Sequence, residues 1–323
     1  MKIFKTIILC STLLVFNSCQ NSKSENEKIP GIILENMDTS VDPKDDFYNY
    51  VNGNWMKTNT IPDDESRWGG FGVLRKTTRQ DVLEIIKTAQ INDNYKEGSD
   101  QKKALLIFET KLDTIARNKA GIKPIQHLLD AIEGITNIDE LQTVYATITG
   151  ISAPFAGIGA NPDLNDSSVN TAWVFPGGLG LQRDYYIDQD DKTKDIRKDY
   201  LKHVSKMFQF IGYNVTDADN AAILILDLET KLAEPRLDKV QSRDIRNFNN
   251  PMTIDELESL TPSMNWNKLV LDLGIKKSLD QVLVMQPKYM EELNNVLENT
   301  SINDLKTLMK WSTIDNSANY LTT

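Results

Sequence analysis

Apolar residues recur at helical spacing along most of the chain from residue 71 onward. Residues three and four positions apart share one face of a helix, so each run predicts a helix with one apolar side. Asn137, Thr253 and Ser301 are each followed three residues later by Glu or Asp, which is typical of a helix start. The pattern predicts helices over about 191–212 and 217–233 and two earlier apolar stripes, namely Phe71, Leu74, Val82, Ile85, Ile86 and Ala89, then Ala104, Leu105, Phe108, Leu112 and Ile115, closed by Gly121 and Pro124.

One stretch breaks the helical pattern. "PFAGIGA" and "VNTAWVF" are rich in β-branched and aromatic residues, and the turn formers of "NPDLNDSS" lie between them. We predict a β-hairpin that pairs residues 155–160 with 169–175. The run "PGGLGLQ" at 176–182 lacks the third glycine and the strand–helix–strand surroundings of a dinucleotide loop, so a tight turn is expected there. The fold class is therefore mainly α, a multi-helix lobe with a small β-hairpin insertion at about 155–175.

Composition and charge limit the class of partner. The 323 residues are 40% hydrophobic and 25% charged, as in a globular protein of one large or two modest domains. Lys plus Arg number 36 against 46 Asp plus Glu, a net charge of -10, and no basic block could follow a phosphate backbone. Nucleic acid is not an expected partner.

The first residues are typical of a bacterial lipoprotein. Residues 1–18 carry two lysines and then an apolar run too short to span a membrane, and Ser18 precedes Cys19. We interpret 1–18 as a lipoprotein signal peptide, Cys19 as the lipidated residue and 19–36 as a polar tether; the alternative is that Cys19 is incidental. The protein is then exported and lipid-anchored to the bacterial cell envelope, facing the periplasm or the cell surface. Cys10 is removed with the signal peptide, so no disulfide within the chain is expected.

The chemistry of common active sites is missing from the sequence. His127 and His203 stand 76 residues apart, outside any H-E-x-x-H spacing, and with Cys19 lipidated no conventional zinc ligand set remains. A G-x-S-x-G elbow and a nucleophilic cysteine are also absent. The sequence therefore predicts no catalytic residue and no metal ligand in this chain.

The segment "IPDDESRWGGFGVLR", residues 61–75, offers recognition of an anion instead. An arginine binds a carboxylate through two parallel hydrogen bonds, and Trp68 and Phe71 would give Arg67 an apolar setting in which such bonds are stronger. The alternative is structural: Arg67 pairs with Glu65 or Asp64 and stabilises a turn. The residue types alone do not separate these two interpretations.

Several motifs occur in the order seen in a known family. "DPKDDFYNYVNGNW" fits D-x-x-x-D-F-[YF]-x-[YF]-x-[NC]-G-x-W and is followed by "IP" and "SRWGGF". Further on come "PFAGIGANPDLNDSS", "GGLGLQRDYYID", "RNFNNPMTIDEL" and "LKTLMKWSTIDNSANYL". In these motifs, residues 37–323 resemble the N-terminal domain of the neprilysin-type zinc metallopeptidases. The resemblance covers essentially all of the chain after the tether.

The resemblance implies an exported, two-lobed zinc metalloendopeptidase that hydrolyses short peptides in a closed chamber. It assigns this chain to the N-terminal, substrate-enclosing part. The zinc is held by H-E-x-x-H and a later glutamate in a C-terminal part that is absent here. The chain is therefore expected to be truncated before the zinc domain and inactive on its own. It also implies that Arg67 and Arg75 bind the C-terminal carboxylate of the peptide. Phe71, the apolar residue near Arg67, is the third expected substrate-binding residue. Gly72 stands where neprilysin has an acidic residue, which leaves the selectivity of the subsite open. The alternative function is a non-catalytic, lipid-anchored peptide- or ligand-binding lipoprotein.

Overall fold

The structure is a computed structural model that describes residues 31–92, 94–276 and 279–322. The predicted signal peptide and Cys19 lie outside the described residues. The chain divides into two compact units, Met1–Leu105 and Leu106–Thr323. Within the described residues, no helix combines the length and the apolar character needed to cross a bilayer.

The described part of the first unit contains two α-helices and the start of a third. Helix α1 covers Phe47–Thr58, α2 covers Gly70–Asn92, and α3, Asp100–Leu112, runs across the boundary between the units. Helix α2 confirms the first predicted stripe as helical. None of its residues is buried, however, and Phe71 is 89% exposed.

The second predicted stripe forms two helices instead of one. Helix α3 ends at Leu112, and Asp113 caps α4, Thr114–Ala120, by accepting a hydrogen bond from the Ala116 amide. Gly121, at φ 56°, ends α4 as expected because this conformation suits glycine. Pro124 was predicted to close the same helix, and this was wrong. It lies in the first turn of the next helix, where a missing N–H costs nothing.

The helices of the second unit after Gly121 mostly follow the predicted positions. Thr253 and Glu256 form the full capping box, and Asn137 also caps its helix, but the Glu140 carboxylate accepts from Thr136 instead of Asn137. The helices are α5 Lys123–Glu133, α6 Ile138–Ile148, α7 Arg183–Ile187, α8 Asp191–Phe210, α9 Val215–Ala233, α10 Ile254–Leu260, α11 Trp266–Asp272, α12 Pro287–Asn299 and α13 Ile302–Ser317.

The predicted hairpin is present and belongs to a larger sheet. Strand β1, Ala156–Pro162, pairs antiparallel with β2, Asn170–Pro176, within two residues of the predicted bounds. Two short strands were missed: β3, Pro251–Met252, and β4, Val282–Val284. β4 lies parallel to β2 and antiparallel to β3, so the order is β1-β2-β4-β3 and β1 lies at one edge.

One hydrophobic core joins the sheet and the helices of the second unit. Val174 of β2 and Val282 and Val284 of β4 are fully buried in it. Burial of such large side chains is the main source of stability for a unit of this kind. The largest fully buried side chains are Trp266, Trp311, Tyr145, Tyr289, Phe155 and Phe208. The core confirms a mainly α lobe with a small sheet.

Candidate functional site

The motif at residues 42–55 builds the helix that precedes the candidate segment. Asp46 caps α1 by accepting hydrogen bonds from the amide and side chain of Asn49, at 2.9 and 2.6 Å. Gly53 lies against Asp38, since a Cβ at Gly53 would lie 2.7 Å from the Asp38 Cβ. Hydrogen bonds from Lys57 and then Ser40 lower the pKa of Asp38 to about 2. These contacts give the motif a structural role.

The candidate segment places its two arginines in different surroundings. Glu65 accepts two hydrogen bonds from the Arg75 guanidinium, at 2.9 and 2.8 Å. Arg67 is exposed and has no hydrogen bond or ion pair to any residue that the structure describes. The structural alternative, in which Arg67 pairs with Glu65 or Asp64, is therefore not what this structure contains. Glu65 is paired with Arg75, and the Arg67 guanidinium is available to bind a ligand.

Trp68 lies just before α2, and Gly72 lies in the first turn of that helix. A Cβ at Gly72 would lie 2.9 Å from the Trp68 ring, so a larger residue would move the indole. Lys76 lies one turn further along, with its Nζ 5.8 Å from the centre of the same ring. Phe71 points away from packing partners and is 89% exposed. The residues expected to shield Arg67 from water therefore do not bury it: within the described residues, Arg67 and Phe71 are both exposed to solvent.

Sequence reasoning missed a buried carboxylate in the second unit. Glu229 of α9 is 2% exposed. Its Oε2 accepts hydrogen bonds from the hydroxyls of Tyr200 and Tyr186, at 2.5 and 2.9 Å, and its Oε1 accepts from the Gly180 amide and the Trp311 indole, at 3.0 and 3.3 Å. Burial raises the pKa of Glu229 despite these four donors. The carboxylate ties the "GGLGLQRDYY" motif to α8, α9 and α13.

A signal for Glu229 was present in the sequence. It follows Ile225 by four residues and precedes Leu232 by three, so it lies on the buried stripe of α9. An acidic residue at such a position needs hydrogen-bond donors from its neighbours. A cavity of about 60 Å³ adjoins the carboxylate, lined partly by Pro154, Gly180 and Asp315.

The run "PGGLGLQ" does not form the predicted tight turn. Its first glycines continue alongside the segment before β1, because the Gly177 amide donates to the Phe155 carbonyl and the Gly178 amide donates to the Ala153 carbonyl. The Tyr289 hydroxyl also accepts from the Gly177 amide, at 3.1 Å. A Cβ at Gly177 would lie 2.2 Å from the Pro154 carbonyl oxygen, so close backbone packing requires glycine at this position.

The described residues of this chain do not fit a zinc site. Among the described residues, no group of three or more His, Cys, Asp or Glu side chains comes close enough to hold a metal ion. The His203 ring packs edge-on against Trp311 at 5.9 Å between ring centres, in the manner of a boundary residue. A zinc reaction can therefore not be derived from these residues.

The family of the chain follows from its sequence. Residues 43–323 match the model of peptidase family M13. The chain belongs to this family. The M13 chain is 27% identical over 302 residues to endothelin-converting enzyme 1 of Mus musculus, across 90% of this chain and 38% of that enzyme. It is 27% identical to neprilysin-3 of Drosophila melanogaster, across 82% of this chain and 36% of that protein.

Solved structures agree with this family at the level of fold. The zinc metalloprotease Zmp1 of Mycobacterium tuberculosis matches the M13 chain with a TM-score of 0.80 at 26% identity, over 90% of this chain and 45% of that one. PepO from Lactobacillus rhamnosis matches with a TM-score of 0.69 at 18% identity, over 87% and 44%, which shows the fold alone. The M13 chain thus spans about two fifths of the length of the curated relatives that it matches. The predicted family and fold class are confirmed.

Proposed function

We propose that this chain is the substrate-enclosing part of an M13 zinc endopeptidase that hydrolyses short peptides. The observation that carries the proposal is the family match over residues 43–323, in a chain that spans about two fifths of its curated relatives. The zinc is held by residues outside this chain, because the residues described here do not fit a metal site. In this proposal the chain contributes binding, and chemistry requires the other part.

Arg67 is the residue that binds the C-terminal carboxylate of the peptide. Support comes from its exposure and from its having no partner among the described residues, whereas Arg75 already shares its Nη2 donor with both oxygens of Glu65. A free guanidinium donates two parallel hydrogen bonds to a carboxylate. Arg75 lies one helical turn after Phe71 and adds positive charge to the same subsite, with Phe71 as its apolar neighbour.

Replacing Arg67 by alanine is expected to raise the KM for peptides with a free C-terminus about thirtyfold, because one charge-assisted pair is lost. The kcat should change little, and peptides with an amidated C-terminus should be hydrolysed as before. The measurement is steady-state hydrolysis by the gene product that contains both this chain and the zinc-binding part. The chain by itself is the blank, for which we expect no chelator-sensitive hydrolysis.

Arg79→Ala is the matched control, since Arg79 is an exposed arginine further along α2. Its KM should match the unmodified enzyme on both peptides. Equal losses on free and amidated peptides in Arg67→Ala would return Arg67 to a structural role. Chelator-sensitive hydrolysis by the chain alone would contradict the proposal that this chain only binds substrate and that the other part carries the zinc chemistry.

Anchoring through lipid on Cys19 places this peptidase at the bacterial cell envelope. The proposal rests on the lysines, the apolar run and the Ser18–Cys19 pair. In a bacterial host given labelled palmitate, we expect label on the chain and recovery in the membrane fraction. Cys19→Ser should abolish both, whereas Cys10→Ser, the control at the other cysteine, should keep both. Label on the Cys19→Ser variant would contradict the assignment.

A further inference from the structure

Strand β1 has one free edge. Among the described residues it is the end strand of the four-stranded sheet and pairs with β2 alone. In an antiparallel pair, alternate residues direct their N–H and C=O groups toward the partner strand, and the residues between them direct these groups away. The free edge therefore presents every second residue of β1.

The hydrogen bonds at both ends of the hairpin show which residues face outward. The Gly177 amide donates to the Phe155 carbonyl, and the Asp163 amide donates to the Val169 carbonyl. Odd-numbered residues of β1 thus pair with β2, and Ile158 and Ala160 face the free edge. In the part of the chain that the structure describes, no hydrogen bond reaches the backbone N–H or C=O of either residue.

In the described part of the chain, most of the usual protections of an edge strand are missing from β1. Native sheets block their edges with charged side chains, bulges or a covering segment. The β1 sequence "AGIGANP" has no charged residue, its pairing with β2 runs from Ala156 to Pro162 without a bulge, and Ala160 is exposed. Only Pro162, at the end of the strand, lacks an N–H.

One face of the hairpin offers an aromatic surface next to this edge. Gly157 and Gly159 lie opposite Phe175 and Trp173, and a Cβ at Gly159 would lie 3.3 Å from the Phe175 ring. The glycines thus let the ring lie over β1. The Trp173 indole N–H is shielded from solvent and has no acceptor among the described residues. A buried donor without an acceptor is costly, which favours a ligand that supplies one.

Charge indicates what kind of strand fits. The hairpin segment, residues 155–176, contains Asp163 and Asp166 and no lysine or arginine, and the whole chain carries -10. A second copy would bring the same negative charges to the edge. A peptide with a basic side chain near the Pro162 end of β1 meets the opposite charge instead.

From these observations we propose that β1 binds an extended peptide by strand addition at Ile158 and Ala160. Main-chain hydrogen bonds to an edge strand give affinity without a fixed sequence. The aromatic face of Trp173 and Phe175 contacts alternate side chains of the peptide. The choice of a peptide as ligand rests on the proposed peptidase function, and β1 belongs to the second unit whereas Arg67 belongs to the first.

The first test uses a fluorescein-labelled decapeptide of alternating threonine and valine with lysine near one end, acetylated and amidated so that Arg67 has no carboxylate to bind. Two further versions are N-methylated at alternate amides of opposite parity. Fluorescence anisotropy with the full chain should show that one methylated version binds. The version whose methyl groups replace the N–H groups facing β1 should bind about tenfold more weakly, because it loses the hydrogen bonds to β1. Equal binding of both versions would overturn strand addition.

The second test changes the strand itself. Ile158→Pro removes an outward N–H, together with a partly buried side chain that packs against the core, and should weaken peptide binding about tenfold. Ser167→Pro is the matched control, because Ser167 follows Asp166 in the turn closed by the Val169 amide, where proline is favoured. It should bind like the unmodified chain. If Ile158→Pro lowers the melting temperature, Ala160→Lys blocks the same edge with an unchanged backbone and should weaken binding of the basic peptide equally.

The outcomes separate this inference from the proposed function. Suppose that the capped peptide binds no better than a control peptide of glycine and serine, while Arg67→Ala still raises the KM for peptides with a free C-terminus. The edge site is then wrong and the peptidase proposal stands. If capped peptide binds but the longer gene product hydrolyses no peptide, the peptidase proposal fails and the edge site stands. A concentration-dependent dimer in sedimentation that Ile158→Pro abolishes would assign the edge to a second copy and overturn the inference.

Discussion

Replacing Glu229 by alanine is expected to lower the free energy of unfolding by about 4 kcal/mol. The carboxylate accepts hydrogen bonds from two backbone or indole N–H groups, of Gly180 and Trp311, and from two tyrosine hydroxyls. Alanine removes the acceptor from all four donors, of which Tyr186, Tyr200 and Trp311 are buried, and opens a cavity beside the existing one. Urea denaturation of the full chain at neutral pH, followed by circular dichroism, measures the loss.

Glu229→Gln is the control for shape. Its amide oxygen can accept from the Gly180 and Trp311 donors, and its NH₂ group can donate to tyrosine hydroxyls that turn to accept, so we expect a loss of about 1 kcal/mol. An alanine variant as stable as the glutamine variant would contradict the role of Glu229 as the acceptor of this network.

The difference in stability between the unmodified chain and Glu229→Gln is expected to depend on pH. Because burial raises the pKa of Glu229 in the folded state above its ordinary value of 4.5, the native protein holds this proton more tightly than the unfolded chain. The resulting stability is fully present below pH 4.5 and is lost as the pH rises through the raised pKa. The stability of the unmodified chain relative to Glu229→Gln should therefore fall as the pH rises above 4.5.

Most helices could be predicted because their signals are local. The apolar stripe of α9 and the capping box at Thr253 and Glu256 depend only on residues within a few turns. Pro124 was misplaced because a proline that stops one helix and a proline that starts the next look alike in sequence. The choice depends on where Gly121 ends α4.

The sheet beyond the hairpin could not be predicted. Strands β3 and β4 have two and three residues, which is too short for an alternating pattern, and β4 is buried on both faces. Their pairing joins Ala172 to Val282 and Pro251 to Leu283, over large distances in sequence. Such pairing depends on how the helices pack, which periodicity does not describe.

The ion pair in the segment that contains Arg67 could not be predicted from the sequence. The sequence offered Glu65 or Asp64 as a structural partner for Arg67, and the family resemblance added Arg75 to the same subsite. Helix α2 starts at Gly70 and places Arg75 over Glu65, leaving Arg67 in the preceding loop. The pairing thus depends on the helix start, and helix boundaries are the part that sequence fixes least.

Replacing Gly177 by alanine is expected to lower the free energy of unfolding by about 3 kcal/mol. A Cβ at this position would lie 2.2 Å from the Pro154 carbonyl oxygen, so the two backbone segments must separate. Their separation breaks the hydrogen bond that the Gly177 N–H donates to the Phe155 carbonyl. It also disturbs the hydrogen bond, 2.6 Å long, that the Gly177 carbonyl accepts from the Arg236 guanidinium.

Gly178→Ala is the matched control one residue later. A Cβ there meets its nearest atom, the Ala153 carbonyl oxygen, at 3.9 Å, an ordinary contact. Its stability should stay within about 0.5 kcal/mol of the unmodified chain. Thermal and urea unfolding of both variants measure the difference. Since neither glycine has a positive φ in the described backbone, a loss of equal size in both variants would show that backbone freedom matters here and that the close approach to Pro154 does not.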